Sequence, residues 1–433
     1  MKIGIRREDK NIWERRVPLT PEHVKKIIGA GVEVVVQPSG IRALKEAAYR
    51  DAGAQIDEDL SSCRVVFAVK EIPVELFRKN GAYVYFAHVI KGQPHNMPML
   101  KKLLELECTL IDYEKVTDDS GRRLVFFGRH AGLAGMMDSL WALGRRLESE
   151  GFQTPFSLLK ATHEYADLDE VKLAVRDVGQ KIRLEDLPDL YNPMVFGFAG
   201  YGNVSQGAQE IFDLLPHKEI SPEQLAKRSY EPDARHLYKV VFKEEHMAKP
   251  KDAAKQFELQ EYYDQPELYQ ANFAQYVPHL TALINCIYWS PKYPRLVTKE
   301  LLRAIWSGAT PPRLKILGDI SCDVEGALEC TLKSTEPDDP VFVYKVQDDS
   351  ILSGVEGDGP VVLAVDNLPC ELPVESSWDF GNALIGFVPE IARADYFAKF
   401  EDLALPAPIK RAVIAHRGKL APNYEYLYAK LDG

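Results

Sequence analysis

The sequence predicts an α/β chain in two parts, each built on a parallel sheet, with the first part interrupted by the second. Three observations carry this. From Lys2 to Tyr113, apolar β-prone runs alternate with helical patterns, as in parallel strands joined by crossover helices. A second series of apolar runs opens at Met194 and closes at Val361–Val365. Beyond it lies a further helical stretch around Phe380–Ala394, which is placed back on the first part. On this reading residues 1–140 with 368–433 form one domain and 141–367 the other, with a cleft between them.

Taken in order, residues 2–6 read as a strand. A charged loop, Arg7–Arg16, leads to a helix start at Thr20-Pro21-Glu22-His23. Thr20 can act as N-cap there, and Pro21 suits the first helical position. Glu33–Gln37 is the next strand, and the helix ending near Ala54 closes at Gly53. Val65–Val69 and Ala82–Ala87 are buried strands running into Lys70 and His88. Pro98–Leu106 is helical, and Thr109–Tyr113 is a strand. Gly132–Glu150 reads as a long amphipathic helix near the domain change. Residues 221–275 are unusually charged and aromatic and read as an insertion, a solvated lobe. Thr281–Trp289, Leu314–Ile320 and Val361–Val365 are further strands.

The organising stretch is Met194–Leu215. Met194–Ala199 is apolar and β-prone. From Asn203, the residues Val204, Ala208, Ile211, Phe212 and Leu215 fall at helical spacing. Gly200-Tyr201-Gly202 lies between. A strand, a glycine turn and a helix in that order open a Rossmann-like dinucleotide-binding unit. Gly200 permits the turn, Gly202 lets a pyrophosphate approach the backbone, and the helix N-terminus faces the phosphates. Ser205 stands where a third glycine or alanine is usual. The competing reading is an ordinary βα turn.

Composition sets limits. The chain has 433 residues, 46% hydrophobic and 27% charged, enough for two cored domains. A formal charge of −11 without a basic stripe argues against a nucleic-acid partner. Six scattered cysteines without a C-x-x-C pair suggest neither zinc nor a disulfide framework, and fit a reducing, cytoplasmic setting. No apolar run is long enough to span a bilayer, and the N-terminus reads directly as a strand with no leader expected. No metal site is expected.

Two strand ends carry ionisable side chains. Lys70 and His88 each follow a buried run, and ligands of open α/β sheets sit at the carboxyl ends of strands. A partly desolvated lysine and a histidine can both exchange protons near neutrality. Read singly, each is an ordinary strand-end lysine or half-buried histidine; read together, they favour acid–base chemistry. Arg15-Arg16 and Arg122-Arg123 can clamp carboxylates or form surface salt bridges. Glu114 follows the strand at 109–113 as an acid or a salt-bridge partner.

Several motifs resemble a known family. Gly4-Ile-Arg-Arg and Trp13-Glu-Arg-Arg-Val-Pro-Leu-Thr-Pro resemble the N-terminal domain shared by alanine dehydrogenase and saccharopine dehydrogenases. Ile111-Asp-Tyr-Glu-Lys, Phe127-Gly-Arg-His-Ala-Gly-Leu-Ala-Gly, Gly200-Tyr-Gly-Asn-Val-Ser-Gln-Gly-Ala, Leu283-Ile-Asn-Cys-Ile-Tyr-Trp and Val365-Asp-Asn-Leu-Pro are similar to the lysine–ketoglutarate reductase portion of bifunctional aminoadipic semialdehyde synthases. The resemblance covers nearly the whole chain. It implies condensation of L-lysine with 2-oxoglutarate and reduction of the imine to saccharopine. NADPH is the implied cofactor, with NAD or NADH used by related lysine-forming enzymes. Carried over by motif, it implies Lys70 and His88 as the acid–base pair. Arg16, Lys91, Gln93, Arg123, Phe127, Asn285 and Tyr288 are implied at the substrate; Glu114, read from its strand end, could hold the substrate amine there. Arg122, Gly200, Gly202, Asn203, Val204, Val365, Asp366, Asn367 and Leu368 are implied at the cofactor.

For cofactor choice, the region past the glycine turn offers Glu219 for a ribose 2′-hydroxyl, and Lys218, Lys227 or Arg228 for a 2′-phosphate. Rival readings are an alanine-dehydrogenase-like or other NAD-linked amino acid dehydrogenase, and a nucleotide-binding module without catalysis. Partners are expected to be small molecules, with no nucleic acid and no membrane; a homo-oligomer is left open.

Overall fold

The computed structural model describes residues 1–185, 187–188 and 192–431. The chain divides into two units, Met1–Phe127 with Pro373–Gly433, and Gly128–Leu372.

The first unit opens with β1 (Lys2–Ile5), α1 (Pro21–Gly29), β2 (Glu33–Val36), α2 (Glu46–Asp51), β3 (Gln55–Ile56), β4 (Val65–Phe67), β5 (Ala82–Tyr85), α3 (Met97–Glu105) and β6 (Thr109–Asp112). α1 starts at Pro21, with the Thr20 hydroxyl 2.8 Å from His23 Nδ1. Gly53 has φ +95°, the left-handed turn that ends the α2 segment. β4 and β5 are shorter than their apolar runs. Past Phe67, the amides of Val69 and Lys70 donate to the buried Glu8 carboxylate at 2.7 and 3.0 Å, so the chain leaves the ladder there.

The second unit follows: α4 (Gly128–Ser149), α5 (Leu168–Leu184), β7 (Val195–Ala199), α6 (Asn203–Phe212), β8 (His217–Glu219), α7 (Pro222–Lys227), β9 (Leu237–Phe242), α8 (Glu244–Met247), β10 (Ala248–Pro250), α9 (Leu259–Asp264), β11 (Tyr269–Ala271), β12 (Ala282–Asn285), α10 (Lys299–Trp306), β13 (Ile316–Asp319), β14 (Val341–Lys345), β15 (Ser350–Ser353) and β16 (Val361–Leu363). The chain then returns to the first unit as α11 (Pro373–Leu384), α12 (Val388–Arg393), α13 (Ala407–Arg411), β17 (Val413–His416), β18 (Lys419–Leu420) and α14 (Tyr428–Leu431).

Each unit has an eight-stranded sheet. The first runs β18-β17-β6-β5-β4-β1-β2-β3, and the second β15-β14-β16-β13-β12-β7-β9-β8. Both are parallel except at one edge, where β17–β18 and β14–β15 pair antiparallel. Neither edge hairpin is expected from the alternation of the flanking segments.

Four expectations need correction. Residues 221–275 are not wholly a solvated lobe: Leu237–Phe242 is a core strand beside β7, with Ala199 in register with Phe242. Its apolar run was masked by the charges on both sides. The helix expected over Phe380–Ala394 is two helices, broken around Gly386. The strand from Thr281 ends at Asn285, not Trp289. Finally, α4 is not amphipathic: Leu133–Leu140 is buried on every side. Its glycines admit backbone contact with α6. A Cβ on Gly132 would stand 1.9 Å from the Val204 carbonyl oxygen, and one on Gly207 2.0 Å from that of Arg129.

Candidate functional site

In the first unit, the ionisable residues gather where β1, β4, β5 and β6 end. Glu8, in the loop after β1, is buried and holds the backbone of Val69 and Lys70. Burial, with Glu14 nearby, pushes its carboxyl up to about 7. Lys70 projects from this fixed turn. Burial lowers its ammonium's pKa, and the Arg16 charge lowers it further. Among the described residues no carboxylate pairs with it.

His88 leaves the neighbouring strand in the left-handed region, φ +49°. Its Nδ1 lies 2.6 Å from Glu71 Oε1, and its ring stacks on Phe86 with centroids 6.0 Å apart. Burial raises the Glu71 carboxyl, but the His88 hydrogen bond and charge outweigh it and hold the group at about 2. Glu71 therefore stays ionised and fixes the imidazole, leaving Nε2 as the nitrogen able to exchange a proton. The left-handed backbone is a strained conformation for a histidine and sets the ring's direction. The sequence reading missed Glu71 and Glu8. The signal available was only a carboxylate adjacent to a candidate lysine.

Arg16 is not a surface residue. Its Nε and Nη2 meet Glu14 at 2.7 and 2.6 Å, with both side chains 1% exposed. The guanidinium lies 4.2 Å from the Phe127 ring centroid. Phe127 in turn stacks on Phe380 at 4.6 Å, so the returning segment completes this wall. Arg123 is exposed and lies over Phe86 at 5.9 Å. Arg122 turns away, 84% exposed and paired with Asp118 at 2.9 Å within its own turn. Glu114 donates its amide to the buried Asp112, whose carboxyl burial pushes up to about 7. Lys91 is exposed; Gln93 carries a buried side-chain oxygen without a partner among the described residues, an acceptor a ligand could satisfy.

In the second unit, Gly200 has φ +96°, and its amide donates to the Phe242 carbonyl at 2.9 Å. Gly202 precedes α6, and a Cβ there would meet nothing within 4 Å. Backbone amides at the start of α6 lack partners within the helix and face this open space. The turn thus fits a dinucleotide's phosphates. Gly202→Val is expected to weaken nucleotide binding about tenfold or more, some 1.4 kcal/mol per decade, with the melting profile unchanged. Calorimetric titration showing wild-type affinity would move the phosphates elsewhere.

The remaining residues are more mixed. Asn285 is buried and donates to Asp319 at 2.8 Å, while Tyr288 is 75% exposed. Val204, Val365 and Leu368 pack into the core, so only their backbones could meet a ligand. Asn203 and Asp366 are exposed and Asn367 is half-buried. No group of residues suited to a metal occurs among the described residues.

A glycine turn at the centre of one largely parallel sheet, with ionisable side chains at the strand ends of another, defines a two-unit α/β fold. L-alanine dehydrogenase has this fold: its solved structure matches 100% of both chains with a TM-score of 0.63 at 18% identity. Residues 4–134 match the family described as alanine dehydrogenase/PNT, N-terminal domain. The chain is 38% identical to the α-aminoadipic semialdehyde synthase of Arabidopsis thaliana over 98% of its own length and 41% of that protein's. It is 26% identical to the NAD(+), L-lysine-forming saccharopine dehydrogenase of Yarrowia lipolytica, over 91% of this chain and 93% of the other. Residues 4–134 are thus similar to that N-terminal domain, and nearly the whole chain is similar to one part of the synthase. It spans less than half the length of the synthases it matches.

Proposed function

We propose that this chain is an oxidoreductase that condenses L-lysine with 2-oxoglutarate and reduces the resulting imine to saccharopine, or runs the reverse. The observation that carries the reading is Lys70 beside the Glu71–His88 pair at two adjacent strand ends, in a chain related throughout to the synthase and the lysine-forming dehydrogenase.

The lysine ε-amine must be neutral to attack the 2-oxo carbon. The carbinolamine hydroxyl must then leave as water, which needs a proton. A lysine held below its ordinary range by burial and a histidine oriented by a carboxylate supply those transfers. The exposed Arg123 supplies positive charge for a substrate carboxylate, whereas Arg16, expected in that role, is buried and already paired with Glu14. A nicotinamide dinucleotide supplies the hydride when bound. The resemblance implies NADPH, with NAD(H) as the alternative. Six free cysteines fit a reducing compartment, and we place the protein in the cytoplasm. No helix among the described residues is long and apolar enough to cross a membrane.

The test is loss of nicotinamide absorbance on mixing the protein with lysine, 2-oxoglutarate and reduced cofactor, with saccharopine identified by mass. Activity with pyruvate and ammonia, and none with lysine, would instead favour the alanine-dehydrogenase-like reading.

A further inference from the structure

The parallel strands β7, β9, β12 and β13 have amino ends as well as the carboxyl ends that carry the glycine turn. The five residues of β7 set its two ends roughly 16 Å apart, at about 3.3 Å per residue. A cavity of about 150 Å³ opens at the amino ends, lined by Pro193, Arg228, Tyr230, Pro232, His279 and Arg313. Pro193 leads into β7, Tyr230 and Pro232 into β9, His279 into β12 and Arg313 into β13, while Arg228 ends α7. None of these six residues is acidic, and three can carry positive charge. Arg228, weighed from the sequence for a cofactor 2′-phosphate, thus stands at the opposite end of the sheet from the glycine turn.

Arg228 meets an imidazole where an arginine commonly meets a carboxylate. Its Nε and Nη2 lie 3.3 and 3.2 Å from His279 Nδ1. A guanidinium only donates, so Nδ1 accepts and the imidazole is neutral, its proton on Nε2. Burial, then the Arg228 and Arg313 charges, lowers the His279 pKa, which agrees with that tautomer. Arg313 is half-buried, and its Nη2 donates to the Pro193 carbonyl at 2.5 Å, which fixes the guanidinium at the wall. The acidic side chains beside Pro232 in sequence do not line the cavity. Asp233 is held by Lys218 and His236 at 2.7 and 2.8 Å, and Glu231 is exposed.

We propose that this cavity binds a single phosphate group, with the Arg228 and Arg313 forks on its oxygens and His279 and Tyr230 as further donors. A guanidinium matches two phosphate oxygens at once. A bound anion also relieves the like charge around His279, letting the imidazole take up a proton and Nδ1 turn from acceptor to donor. Sites for whole nucleotides or similar ligands span about 300–1,000 Å³, so this smaller space suits one phosphate group and no base or ribose. A lone carboxylate brings one negative charge to three cationic groups, whereas a phosphate brings nearly two. The source is inorganic phosphate or a small monoester whose remainder lies in solvent. Such a ligand ties together the segments leading into four strands of one sheet, so it stabilises the folded unit by mass action.

The experiment is calorimetric titration of the full chain with inorganic phosphate and with glycerol 3-phosphate, in a phosphate-free buffer at constant ionic strength. Acetate serves as the control, and melting curves are recorded alongside. Saturable phosphate binding and a melting temperature that rises with phosphate but not with acetate are expected. Tighter glycerol 3-phosphate binding identifies a monoester as the ligand; tighter inorganic phosphate binding identifies the free ion. Arg228 has φ +51°, a conformation that glycine adopts without strain, so Arg228→Gly should fold and weaken binding at least tenfold. His279→Gln should weaken it less. Gly202→Val should bind phosphate as the wild type does, which separates this cavity from the glycine turn. Absence of saturable binding by the wild type overturns the proposal whatever the variants do. So does equal stabilisation by acetate, binding unchanged in both Arg228→Gly and His279→Gln, or binding lost in Gly202→Val.

Discussion

Lys70→Met and His88→Gln are each expected to cut saccharopine-forming turnover by on the order of 100- to 10,000-fold, the usual worth of positioned acid–base help. Nucleotide affinity should stay near wild type, because neither side chain belongs to the unit that carries the glycine turn. Each should also remove one limb of the pH–rate profile. The Lys70 ammonium titrates below the ordinary lysine range because burial, then the Arg16 charge, disfavours its charged form. If the neutral amine is the working form, turnover rises as pH climbs through that lowered value, and Lys70→Met abolishes this rise. The double variant should lose less than the product of the two, since groups passing protons in one cycle do not act independently. Near-wild-type turnover in both single variants, with both limbs intact, would return the pair to structural roles.

What the sequence disclosed and what it hid follow the range of the interactions involved. The glycine turn was readable because its strand, turn and helix are contiguous, and Gly200 indeed takes the left-handed conformation. Lys70 and His88 were readable as ends of apolar runs. Glu8, by contrast, acts on a backbone some sixty residues away through the β1–β4 pairing. Phe380 meets Phe127 only because the chain returns to its first unit. The placement of β9 between β7 and β8 depends on sheet order, which no local pattern encodes.

The largest stability effect is expected at the crossing of α4 and α6. In an exposed helix, Gly→Ala gains about 1 kcal/mol from backbone entropy. Gly29→Ala in α1 should behave this way, since a Cβ there meets nothing within 4 Å. At Gly132 the same change puts a methyl group 1.9 Å from the Val204 carbonyl oxygen. The obstacle is backbone, so no rotamer change relieves it, and the helices must part by an ångström or more. Overpacking of this kind costs about 1–3 kcal/mol and occasionally more; with Leu133, Met136 and Met137 buried beside it, about 3 kcal/mol or more is expected for Gly132→Ala. Gly207→Ala, 2.0 Å from the Arg129 carbonyl, should act alike. The displacement also reaches function. α6 begins directly after Gly202, so pushing its first turn off α4 shifts the amides that face the phosphates. Gly132→Ala should therefore lower both the melting temperature and nucleotide affinity, whereas Gly29→Ala lowers neither. Differential scanning calorimetry with nucleotide titration measures both, and a Gly132→Ala protein as stable as wild type would show that the two helices do not meet backbone to backbone.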